Sequence, residues 1–206
     1  MLRIGLTGGL ASGKTFVGRV LADLGCFLIQ ADDLGHQVML KGAEAYPAIL
    51  AEFGPNILTE ADEIDRRKLG AIVFAQPERL AKLNAIVHPA VRVRSNALAA
   101  AFAAAFAAQD PHGIIVYEAA ILVETGSFRD YDKLIVASCT EEQQIERAVM
   151  RDHFTREEVL NRLHRQMPLE EKVKYADYVI DTSGTKEHTL DQTRTVYASL
   201  RRLQQP

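Results

Sequence analysis

The stretch Leu2–Gly25, LRIGLTGGLASGKTFVGRVLADLG, constrains the fold more than any other part of the chain. LRIGLT is a short apolar run with β-branched content, which predicts a buried strand. After a glycine-rich turn, Val17, Val20, Leu21 and Leu24 recur at helical spacing. Strand, tight turn and helix in that order open a βαβ unit, and so predict a parallel sheet covered by helices. Ligands of such sheets collect at the carboxyl ends of the strands.

The turn has its own chemistry. Gly8, four intervening residues and then Gly13-Lys14-Thr15 fit the phosphate-binding loop pattern in its required strand-to-helix setting. Glycines let the backbone curl with its N–H groups inward, and the helix N-terminus adds partial positive charge. Lys14 can reach the outer phosphates and the Thr15 hydroxyl can ligate magnesium, so a nucleoside triphosphate is the expected ligand.

The 206 residues, 48% of them hydrophobic, suffice for one sizeable core with attached subdomains. A formal net charge of -3 argues against a nucleic-acid partner held by bulk electrostatics. Cys26 and Cys139 lie far apart in apolar surroundings, which predicts buried thiols in a reducing compartment. A signal peptide and a membrane-spanning run are both missing from the sequence, so a cytoplasmic protein without a membrane partner is expected.

Further strands are predicted at CFLIQ, at GIIVYE ending on Glu118, at KLIVASC and at DYVID, and a final helix through Leu200. DDLGHQVML reads as a turn entering a helix, with Asp32 or Asp33 as its cap. Residues from about 46 to 111 form a helical insertion, broken at FGPNI and at the His88-Pro89 pair. In its Ala-rich tract ALAAAFAAAFAA, Leu98, Phe102 and Phe106 recur every four residues, which predicts one packing face. A second, strongly charged helical excursion covers about 143–175. The core is then about 1–45, 112–142 and 176–206, in a single domain.

A phosphate loop alone leaves hydrolysis, transfer and sensing open. Asp32 follows the second strand directly, where a carboxylate can accept a proton from an attacking hydroxyl or help place magnesium. Glu118, at a strand end, is placed to support the metal from behind its ligands. Arg147 and Arg151 share a helix face, as do Arg162 and Arg165, and either pair could clamp phosphates. Glu146, Asp152, Glu157 and Glu158 are interleaved with them, so a solvated, ion-paired surface explains the segment about as well. His88 by itself reads as a hydrogen-bonded packing residue.

Taken together, IGLTGGLASGKT, IQADDLGHQV, LNAIVHPAVR, EAAILVETG and ERAVMRDHFTREEVLNRLHRQ resemble the dephospho-CoA kinase family across nearly the whole chain. The resemblance implies an α/β, P-loop nucleoside-kinase-like three-layer fold with a helical substrate-binding insertion and a helical lid. It implies magnesium and ATP-dependent phosphorylation of the ribose 3′-hydroxyl of dephospho-CoA, by a monomer or small homo-oligomer. Gly8, Gly9 and Ala11 through Phe16, with Ser12, Gly13, Lys14 and Thr15 among them, would bind ATP together with Arg147 and Arg151. Asp32 would be the general base, with Lys14 and Arg147 also catalytic. Thr7, Asp32, His88 and Glu118 would face the acceptor, and Thr15 and Asp32 the metal.

Two positions depart from the family pattern. Gln30 stands where an Asp is usual, and Glu118 with Ala120 stands where an Asp and a Pro are common. These bear on magnesium geometry rather than on reaction class. A GTP-dependent switch fits poorly, because no Asn-Lys-x-Asp run occurs. A kinase for another nucleoside or small metabolite, or a non-catalytic ATP-binding module of an assembly, is the remaining alternative.

Overall fold

The computed structural model describes residues 1–106 and 110–204, apart from the side chain of Phe74. In chain order the strands are β1 (Leu2–Gly8), β2 (Phe27–Gln30), β3 (Ile114–Glu118), β4 (Lys133–Ser138) and β5 (Tyr178–Asp181). The α-helices are α1 (Lys14–Asp23), α2 (Ala31–Gln37), α3 (Tyr46–Phe53), α4 (Arg66–Ala75), α5 (Pro77–Phe106), α6 (Glu141–Asp152), α7 (Arg156–Leu163), α8 (Leu169–Val173) and α9 (Lys186–Arg202). The chain forms two compact units, one of Met1–Gln30 with Phe102–Pro206, the other of Ala31–Ala101.

The first unit holds the sheet, all parallel, in the order β2-β3-β1-β4-β5. Its register pairs Leu6 with Glu118 and with Ile135, and Gly8 with Ala137. Alternate residues Ile4 and Leu6, Ile114 and Val116, Ile135 and Ala137 form one core with Val17 and Leu21 of α1 and Val196 and Leu200 of α9. Intervening residues such as Ile115, Leu134 and Val136 are buried as well. Burial on both faces is why these strands read as unbroken apolar runs rather than as alternations.

Helices α6 and α7 each start on a capping box, Thr140 with Gln143 and Thr155 with Glu158. Their Ile145, Ala148 and Val159 make a small core that also packs Leu10 and Ala11 of the phosphate loop.

The second unit has a core of its own, with Val38, Ala45, Ile49, Phe53, Ile57, Leu69 and Val73. Val38 and Ala45 belong to that core, in the unit that runs from Ala31 to Ala101. Asp65 caps α4, accepting from the backbone N–H groups of Arg67 and Lys68.

Three local expectations are corrected. Helix α2 starts at Ala31, so Asp32 and Asp33 sit inside its first turn, where the helix dipole favours acid, and neither precedes it as a cap. FGPNI does interrupt the helices, but α5 runs through Pro89. Proline removes one helical donor, and Ile86, Val87, Ala90 and Val91 packed on the unit's core hold the helix across the gap. In the Ala-rich tract, Ser95 and Ala99 are the buried positions, whereas Leu98 and Phe106 are substantially exposed. Small side chains permit the closest approach, so they occupy the inner face. Phe102 stacks on Phe27 at 4.2 Å, and Ala107 and Ala108 lie outside the described residues.

Candidate active site

The loop between β1 and α1 turns on two glycines. Gly13 has φ of +86°, the left-handed region that a side chain resists, and a Cβ on Gly8 would collide with the Ser12 side chain and the Ala137 carbonyl. Ala11 also sits left-handed, at φ of +52°. Helix α1 starts as Phe16 and Val17 donate to the Gly13 carbonyl. Ser12 is buried, and its hydroxyl has no hydrogen-bond partner among the described residues.

Outward-facing carbonyls of the loop are taken up by side chains from far along the chain. Gln144 donates to Leu10 O at 2.6 Å, Thr182 Oγ1 to Ser12 O at 2.7 Å, and Lys172 Nζ to Gly8 O at 3.4 Å. The Leu10 N–H donates to Gln166 Oε1 at 3.0 Å. These bonds fix the loop's backbone from one end to the other, and a backbone so fixed can bring neighbouring amides onto an anion.

Beside the loop, Glu118 is 4% exposed at the end of β3. One of its oxygens accepts from Thr15 Oγ1 at 2.6 Å, the other from the Gln30 amide at 3.0 Å, and Lys14 Nζ stands 3.9 Å away. Glu118 is thus held inside the fold. The oxygen donors of Thr15 and Glu118 suit a hard cation such as magnesium. Gln30 supplies a neutral donor, so no second carboxylate crowds Glu118 from that side.

Arg147 reaches the same neighbourhood, donating to the Thr182 carbonyl at 2.6 Å and to its hydroxyl at 3.3 Å. Arg151 instead forms a two-pronged pair with Asp152, both bonds at 2.8 Å, which lowers the Asp152 pKa and raises its own. Arg156 pairs likewise with Glu142, and Arg162 lies over the Phe154 ring. Arg151 and Arg156 thus take part in surface ion pairs, with Asp152 and Glu142. Thr7 is fully buried with its hydroxyl donating to the Ala120 carbonyl, so that side chain ties β1 to the stretch after β3. Asp32 and His88 belong to the second unit, Asp32 exposed in the first turn of α2 and His88 on the exposed side of α5.

Of the two thiols, Cys26 is buried and Cys139 only partly so; burial pushes Cys26 up to about 12, with Arg201 pulling weakly the other way. No helix among the described residues is long and apolar enough to cross a membrane.

Sequence reading missed Gln144, Gln166, Lys172 and Thr182. Lys172 alone left a trace, since it shares the inner face of a short helix with Leu169.

The family model described as dephospho-CoA kinase matches residues 2–188. The chain belongs to the dephospho-CoA kinase family. A dephospho-CoA kinase of Aquifex aeolicus is 41% identical over 202 residues, covering 98% of this chain and 99% of that relative. One from Geobacillus kaustophilus is 44% identical, covering 93% and 92%. The solved dephospho-CoA kinase of Campylobacter jejuni superposes with a TM-score of 0.71 at 24% identity over 98% of both chains, a likeness of fold. Family membership thus spans both the loop of the first unit and the whole of the second.

Proposed function

We propose that the chain transfers the γ-phosphoryl group of ATP to the 3′-hydroxyl on the ribose of dephospho-CoA, giving coenzyme A and ADP. The observation that carries this reading is the family match over residues 2–188.

Gly8, Gly9 and Ala11–Phe16 form the phosphate cradle, and Lys14 offsets charge on the transferring group. Thr15, supported by Glu118, and Asp32 would hold magnesium, which neutralises phosphate charge when bound. Asp32 accepts the proton as the ribose oxygen attacks phosphorus; its place two residues after Gln30, whose amide reaches Glu118, supports that role. His88 and Glu118 orient the acceptor. Arg147 and Arg151, on a lid of about residues 143–175, meet the nucleotide side, and Arg151 would exchange Asp152 for phosphate as the lid closes. The insertion of about 46–111 binds the acceptor. The enzyme acts without nucleic acid or membrane, as a monomer or small homo-oligomer, in the cytoplasm, where its two free thiols stay reduced.

Incubation with ATP, magnesium and dephospho-CoA beside other nucleosides, followed by identification of the product, tests the reading. Coenzyme A as the dominant product is expected, and Lys14→Ala should abolish turnover in a folded protein. A different phosphorylated acceptor with dephospho-CoA left intact would overturn it.

A further inference from the structure

We infer that Lys172 is a positioning residue for phosphoryl transfer: its buried ammonium latches the phosphate loop to α8 and so sets the loop's binding geometry. The side chain is fully buried. Its three donors have three acceptors, the Gly8 carbonyl at 3.4 Å, the Ala120 carbonyl at 2.7 Å and Glu124 Oε1 at 2.7 Å.

Burying an ammonium remains costly even after relaxation, and apolar replacements of buried ion pairs are often neutral or stabilising. Fold stability alone therefore gives little reason for a lysine here. Location gives a better one. Gly8 is the last residue of β1, and the peptide that follows its carbonyl starts the loop, so fixing that carbonyl fixes the direction in which the loop departs. Gly8, Leu10 and Ser12, at alternate positions, have their carbonyls held by Lys172, Gln144 and Thr182, and only the Lys172 bond is charge-assisted.

Glu124 Oε1 also accepts from the Met167 N–H at 3.2 Å, next to Gln166, which holds the Leu10 N–H. Residues 166–172 thus grip the first half of the loop at two points. Burial pushes the Lys172 pKa down, Glu124 draws it back up, and Lys14 adds to the downward push, so the two cations share one electrostatic neighbourhood.

The inference rests on the loop being the ATP site, which ADP titration of the unaltered protein tests separately. The variants are Lys172→Met, the charge-neutral double Glu124→Gln/Lys172→Met, and Glu124→Gln alone, which keeps both lysine–carbonyl bonds. Loss of Lys172 should lower kcat/KM for ATP by about ten- to a hundredfold and weaken ADP binding in parallel, because small misplacements of a binding frame carry such penalties. KM for dephospho-CoA should stay within about twofold, and Glu124→Gln should stay within about threefold of the unaltered protein throughout. Three results would overturn the inference: a folded double variant with ATP kinetics matching those of Glu124→Gln, equal losses toward both substrates, or failure of both Lys172 variants to fold, which would make the lysine a folding residue.

Discussion

Thr15 and Glu118 meet through a 2.6 Å hydrogen bond that ties the first turn of α1 to the carboxyl end of β3. Because Gln30 takes the other oxygen of Glu118, the ends of β2 and β3 and the start of α1 converge on one buried carboxylate. A loop residue proposed to touch magnesium is thus oriented by a residue more than a hundred positions away.

Glu118→Ala strands the Gln30 amide and the Thr15 hydroxyl and removes the carboxylate 3.9 Å from Lys14. Turnover should fall by about 10–100-fold, the size of effect seen when a metal ligand's support is removed. The magnesium concentration for half-maximal rate should rise as well. Reduced turnover with an unchanged magnesium requirement and a raised KM for dephospho-CoA would leave Glu118 its acceptor role alone.

Asp32→Asn removes a proton acceptor while keeping size and some hydrogen bonding. Turnover should drop by roughly 10²–10⁴-fold with little change in ATP affinity or thermal stability. Measuring all three separates the roles. Retained turnover excludes the base, and loss of ATP binding would assign Asp32 chiefly to the metal.

Asp65 should contribute to the acid sensitivity of the second unit. Its carboxylate accepts from the Lys68 and Arg67 N–H groups, and these bonds, the Lys68 one first, hold its pKa below the ordinary range. A depressed folded pKa means stabilisation present above the unfolded carboxyl's pKa and lost as pH falls through the folded value. Asp65→Asn still caps but cannot titrate. Urea midpoints measured from about pH 6 to pH 3 should fall less steeply in that variant. Parallel slopes would show that other carboxylates govern the acid response.

The parallel sheet, the loop and the order of the elements were legible in the chain itself. Buried strands must be apolar throughout, a phosphate loop must combine glycines with Lys14 and Thr15, and both demands are met by residues close together in sequence. What sequence could not assign were partners brought together by long crossovers. Gln144, Gln166, Lys172 and Thr182 reach the loop from 134 to 170 positions away. Tertiary structure also decided that Arg147 turns to Thr182 while Arg151 stays with Asp152, although both share a face of one helix. It decided, too, that Pro89 stays inside α5, because packing on a core supplies what one missing hydrogen bond removes. Local chemistry thus specified the elements and the loop, and only the fold could say which side chains hold that loop in shape.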